Sequence, residues 1–287
     1  LVLSLTDKLR YLPFAALQDP KGRYLVQDVA LTMLAQAADT TPAPSAQAWQ
    51  VSALGLTQAR EGYPALPGVQ HELRSIVKTD ASPQGVLPGR IAFDEQFNIS
   101  QLQLALNGRG NVVHIASHFD FKPGDESRSV LLLGQGEPIS LGKLAGMNFS
   151  RVEQLTLSAC ETAMGGGVNE NGVEVESLAA VALRAQAKSV LATLWKVADE
   201  STANLMQDFY RQRAQPEPPS RAQALRAAQT AMIEGRFASD EPVDPSTTRG
   251  SRLAGASDES SAVTKDPRKP YAHPYYWAPF VLSGSWL

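Results

Sequence analysis

Cysteine is almost missing from this sequence: Cys160 is the single one in 287 residues. An internal disulfide is therefore excluded, and a reducing, cytoplasmic setting is the expectation. No apolar run approaches the roughly 18 residues that a membrane span requires, and no signal peptide is present. The formal net charge is -3, so neither a nucleic acid nor another polyanion is expected as a partner. Phosphate-binding loops are also lacking. Gly165-Gly166-Gly167 has neither the lysine nor the spacing of a P-loop, and no Ser-His-Asp elbow occurs. What is left is an ordinary globular balance, 43% apolar and 19% charged, in a chain long enough for one large domain or two small ones. Its opening residues, Leu1-Val2-Leu3-Ser4-Leu5, are already strand-like and lack an initiator methionine, as expected of a piece of a longer protein.

Periodicity organises the rest. Residues 1–45 read as an N-terminal β region, with extended runs at 1–5, 12–17, 22–26 and 29–34 and a Pro/Thr/Ala-rich joint at 40–45. Residues 46–287 read as the core. Buried strands are predicted at 49–56, 86–93, 111–118, 155–160 and 188–194, with a hairpin arm at 129–133 and a last strand at 275–282. Helical spacing covers 67–78, 98–106, 173–186, 199–211 and 220–233. Strands alternating with helices of this length need crossover connections and imply an α/β fold with a mostly parallel sheet. From Gly235 to Pro270 the chain is polar and poor in large apolar residues, the mark of a flexible insertion.

In such a sheet, sites gather beyond the carboxyl ends of the strands. Cys160 ends one apolar run and His118 another, which puts a thiol and an imidazole where a cysteine hydrolase would need them. A lone cysteine is more often a small buried hydrophobe, so it is the pairing with His118 that gives Cys160 its interest. His114 and His118 are four apart, as in a helical metal pair. On a strand that spacing is roughly 13 Å, at about 3.3 Å per residue, and one ion cannot bridge it. His114 therefore reads as a hydrogen-bonded core histidine, and no metal or cofactor is expected. Asp199 precedes a helical run and is either its N-cap or something more specific. Glu161 is a surface carboxylate or part of a substrate pocket. Glu170, Glu174 and Glu176 read as a solvated face, and Trp277 as core.

The chain resembles the CHAT domain, a branch of the caspase and separase group of cysteine peptidases. The resemblance rests on seven runs in order: Leu12–Leu17 (LPFAAL), Leu66-Pro67-Gly68, His114–His118 (HIASH), Leu157–Thr162 (LSACET), Leu191–Asp199 (LATLWKVAD), Ala224–Gln229 (ALRAAQ) and Tyr276–Phe280 (YWAPF). It implies a caspase-like sheet flanked by helices on both faces and a His118–Cys160 dyad. The backbone N–H groups of Phe119 and Cys160 would form the oxyanion hole. Family members commonly carry glycine where this chain has Phe119, a side chain that would narrow the cleft and that favours a non-catalytic interaction module as the alternative. Glu161, Trp195 and Asp199 would help bind substrate, with an acidic floor suited to a basic residue before the scissile bond. The implied activity is an endopeptidase acting on one or a few protein substrates. Upstream helical repeats or a regulatory protein would be its further partners.

Overall fold

The computed structural model describes residues 1–5, 7–34, 48–108, 110–122, 125–158, 177–195, 197, 199–237, 266 and 268–287, with backbone alone at 7, 8 and 199. In chain order its strands are Val2–Leu3 (β1), Thr32–Met33 (β2), Val51–Gly55 (β3), Val77–Lys78 (β4), Leu87–Phe93 (β5), Val112–Ala116 (β6), Phe119–Asp120 (β7), Val130–Leu132 (β8), Pro138–Ser140 (β9), Gln154–Ser158 (β10), Ser189–Thr193 (β11) and Phe280–Gly284 (β12). The helices are Leu25–Asp28 (α1), Gly68–Ile76 (α2), Ile99–Asn107 (α3), Leu141–Ala145 (α4), Leu178–Arg184 (α5), Asp199–Arg213 (α6) and Arg221–Glu234 (α7).

Nine strands form one sheet in the order β1-β2-β12-β11-β10-β6-β3-β5-β4, and β7, β8 and β9 make a small antiparallel sheet of their own. Every pairing in the large sheet is parallel except β11 with β12. The central strands are buried from end to end, as strands covered on both faces must be. Alternation divides their side chains between two cores. Val112 and Ala116 join Val51 and Ala53 under α2, α6 and α7. Val113 and Ile115 join Leu54, Leu155 and Leu157 over α3, α4 and α5. The α/β architecture with helices on both faces is thus the one expected.

Local chemistry fixes the helix ends. The Asn98, Ser140, Ser177 and Ser220 side chains accept from backbone N–H groups in the first turns of α3, α4, α5 and α7. At Ser220, Gln223 returns the bond to complete a capping box. α7 stops at Gly235, whose left-handed φ of 82° suits glycine. A Cβ there would lie 2.5 Å from the Arg268 carbonyl oxygen, so the chain on the far side of the polar insertion resumes beside the end of α7.

Several expected elements are corrected. Residues 14–16 form a 3-10 turn, and Leu25–Asp28 form a helix, where strands were expected. Among the described residues of this region, β1 and β2 are the strands, and they join the main sheet at its edge. The last strand begins at Phe280, not 275, because Pro274–Tyr276 close a 3-10 turn with proline at its start. The helix expected from 67 to 78 ends at Ile76, and Val77–Lys78 continue as edge strand β4. Asp199 is the first residue inside α6, one place past an N-cap. The joint at 40–45 and most of the insertion (238–265 and 267) lie outside the described residues. Among the described residues no helix is long and apolar enough to cross a membrane.

Candidate active site

Register places the two strand ends side by side. Ala116, the last residue of β6, pairs with Gly55 of β3 and with Ser158, the last residue of β10. His118 follows Ala116 by two positions, and Cys160 follows Ser158 by two. Cys160 and Glu161 themselves lie outside the described residues, as do the glycine run and the three acidic residues after them.

His118 is 7% exposed, and its ring is held at more than one point. Its Nε2 is 2.9 Å from the Pro64 carbonyl oxygen. A carbonyl only accepts, so Nε2 carries a proton. The Tyr63 ring packs against the imidazole, with centroids 5.1 Å apart and planes tilted by 42°. On the main chain, the His118 carbonyl accepts from Leu132 N–H at 3.0 Å, and the neighbouring Ser117 hydroxyl donates to the Leu132 carbonyl at 2.6 Å.

The loop that supplies Tyr63 and Pro64 is built from a distance. Asp94 is buried and holds a left-handed φ of 47°, a conformation that aspartate tolerates better than most residues. Its carboxylate accepts from Thr57 N–H (2.8 Å), Thr57 Oγ1 (2.7 Å) and Gln58 N–H (3.1 Å). Arg60 donates from Nε and Nη2 to the Gly134 carbonyl. No side chain fits at Gly134, where a Cβ would lie 1.6 Å from the Asp94 carbonyl oxygen. A backbone bridge between Arg60 and Tyr63 then closes the turn over Gly62, whose φ is 77°.

His114 stands four residues earlier with 0% exposure, as a core histidine should. Nε2 lies 3.0 Å from Glu72 Oε1 of α2, and Nδ1 3.1 Å from the Tyr210 hydroxyl of α6. That hydroxyl is also 2.8 Å from Thr156 Oγ1, and Thr156 is the residue of β10 paired with His114. Burial holds the Tyr210 phenol well above its ordinary range, while the Thr156 bond opposes the shift. A proton path of Thr156 O–H to Tyr210 oxygen, Tyr210 O–H to Nδ1 and Nε2–H to Glu72 leaves none of these contacts idle. Among the described residues, no group of three or more His, Cys, Asp or Glu is placed to hold a metal ion.

The other anticipated residues divide. Phe119 follows His118 on β7. Because the His118 carbonyl bonds Leu132 N–H, residues 118 and 132 form a hydrogen-bonded pair, and the N–H of Phe119 turns away from β8. The Phe119 ring is buried in the second core beside Phe121. Trp195 lies just past the end of β11, half-buried, and its indole N–H donates to the Tyr275 carbonyl at 3.1 Å. Asp199 starts α6 four residues later. Tyr63 and Pro64 were not anticipated. Their only sequence signal is the turn-forming Gly62-Tyr63-Pro64, which marks a bend and says nothing of a histidine.

This α/β sheet, with its strand-end histidine, belongs to the CHAT domain family, whose profile matches residues 1–285. No curated protein sequence matches the chain. Among solved structures, the separase of the Saccharomyces cerevisiae separase–securin complex is similar over 90% of this chain and 14% of its own, with 13% identity and a TM-score of 0.49. RgpB of Porphyromonas gingivalis, in the complex of its pro- and mature domains, is similar over 83% of this chain and 47% of its own, with 11% identity and a TM-score of 0.46. This chain therefore spans less than half the length of either.

Proposed function

We propose that this chain is a cysteine-type endopeptidase, with Cys160 as nucleophile and His118 as general acid/base. The observation that carries the reading is His118 itself. Its imidazole sits at the carboxyl end of β6 with Nε2 fixed by a carbonyl, and Cys160 follows the paired strand at the same two-residue offset. Nδ1 takes the thiol proton, which gives the thiolate that attacks a peptide carbonyl carbon. Backbone N–H groups of Phe119 and Cys160 stabilise the oxyanion. As the C–N bond breaks, the imidazolium gives its proton to the leaving amine, and water then releases the acyl group from sulfur. Glu161, Trp195 and Asp199 would line the substrate-binding side. The substrate is one or a few proteins, cut in the cytoplasm under control of upstream repeats or a partner. The architecture of residues 1–45 as an N-terminal edge and 46–287 as catalytic core belongs to the same reading, as does regulation through residues 235–270.

Cys160 is the sole thiol, so alkylation with iodoacetamide reports on it alone. The expected result is fast labelling that drops in His118→Ala, together with partner cleavage that is lost in Cys160→Ala. Labelling no faster than that of an ordinary exposed thiol, or cleavage that persists without Cys160, would overturn the assignment.

A further inference from the structure

Between α3 and the sheet lies a cavity of about 310 Å³, near the lower end of the range for small-molecule sites. Register explains its position. Ser52 of β3 pairs with Arg90 of β5, and Leu54 with Ala92, so these four side chains share the face that α3 covers. α3 buries Leu102, Ala105 and Leu106, whereas half-buried Gln101 borders the cavity together with Gln96 from the turn before the helix. Ser52 and Ala92 are too small to fill the space. Ala53 and Ile91 belong to the opposite core, so it is their backbone that lines it.

Arg90 is held in place at this cavity from two sides. Its Nε donates to the Ser52 hydroxyl at 3.2 Å, and its Nη2 to the Leu104 carbonyl of α3 at 3.1 Å. Nη1 has no acceptor among the described residues, and neither has the O–H of Ser52, a side chain only 2% exposed. Glycines keep other side chains away from the pair. A Cβ at Gly110 would lie 2.9 Å from Ser52 Oγ, and one at Gly108 3.0 Å from Arg90 Nη2. Among the described residues that line the cavity, none is acidic. An oriented guanidinium and a buried hydroxyl thus offer two donors and one positive charge that the fold itself does not use.

We propose that this cavity binds a small organic carboxylate, its anionic head on Arg90 Nη1 and the Ser52 hydroxyl. The body of the ligand lies over Leu54, Ala92 and the strand backbone, and a neutral polar tail meets Gln96 and Gln101, whose amides both donate and accept. One guanidinium supplies one charge, which matches a carboxylate better than a phosphate dianion. β5 lies on the far side of β3 from β6, so the site stands apart from His118 and does not depend on the peptidase reading.

The probes are 6-hydroxyhexanoate, the neutral 6-hydroxyhexanamide and 6-hydroxyhexyl phosphate, each titrated calorimetrically into the full chain. Backbone amide NMR signals of Ser52, Leu54, Arg90 and Ala92 report the location. The carboxylate is expected to bind saturably and to move these four signals. The amide should bind about 10–100-fold more weakly, the scale of a lost charged hydrogen bond. Arg90→Met should weaken the carboxylate by the same factor, and Arg90→Lys, which keeps the charge and loses the fork, by about tenfold. No saturable carboxylate binding at millimolar concentration would overturn the proposal, as would binding that both Arg90 variants leave intact. Tighter binding of the phosphate would overturn the ligand class. Should Arg90→Met lower the urea midpoint, Arg90→Lys decides: unweakened binding at an unchanged midpoint refutes the site.

Discussion

Two imidazoles four residues apart on the same stretch of chain have come to opposite situations. His114, within β6, meets Glu72, Tyr210 and, through Tyr210, Thr156, and no solvent reaches any of the four to a useful degree. His118, two residues past the strand end, meets a carbonyl and a tyrosine ring from a loop at the sheet edge. The first set of contacts uses both ring nitrogens to join α2, β6, α6 and β10. The second holds Nε2 against a loop carbonyl beyond the strand end. Residue type is the same, and position relative to the strand end decides whether the ring joins four core elements or meets a loop.

Exchanging the two effects would break that contrast, and the largest expected effect tests it directly. His114→Ala leaves the Glu72 carboxyl buried without its imidazole and should cost about 3–5 kcal/mol of stability. His118→Ala should cost only about 1 kcal/mol while lowering cleavage about 10²–10⁴-fold. Urea unfolding beside a cleavage assay reads both, and a reversed pattern would refute the assignment of roles. Tyr210→Phe sharpens it at the next level. Loss of the hydroxyl leaves the buried His114 and Thr156 groups facing nothing and should cost about 1–3 kcal/mol, with iodoacetamide labelling of Cys160 little changed.

The smallest effect concerns a carboxyl that lacks Glu72's arrangement. Asp208, one helical half-turn before Tyr210 on α6, has a buried Oδ2 without a partner. Burial raises its pKa from the ordinary 3.8, against opposing contributions from Gln212, Arg211 and Arg236. A carboxyl with a raised folded-state pKa disfavours folding while it is charged. Stability from this group is therefore gained as pH falls through the raised value towards 3.8. Asp208→Asn should slightly raise the urea midpoint at neutral pH and flatten its change on mild acidification. A lowered midpoint would show that the carboxylate is satisfied after all.

Sequence carried the sheet and the place of His118 beyond a strand end because both follow from periodicity. Apolar alternation located β3, β6, β10 and β11 to within a few residues, and strand spacing alone separated His114 from His118. The Tyr63–Pro64 loop was not legible for two reasons. A backbone carbonyl has no side-chain signature, and the loop's shape depends on Asp94 and Arg60, whose partners are contributed from far along the chain. The burial of the Phe119 ring was not legible because its direction depends on β7, a two-residue strand set by pairing with β8. The aromatic run before β12 looked extended, but Pro274 turns it and Pro279 delays pairing until Phe280. Short apolar runs near the start, such as 12–17, do not distinguish a strand from a tight turn.

The close approach of Gly235 to the Arg268 carbonyl has a consequence for how this chain could be altered. The chain ends α7 at Gly235 and passes Arg268 beside it, so the two ends of the intervening segment are held a short distance apart. Closing a longer or shorter loop across a fixed gap changes the free energy only slowly with length, by about 0.6 kcal/mol for each doubling. That gap is a natural splice point, where a tag, a reporter or a foreign peptide could be carried without moving the sheet.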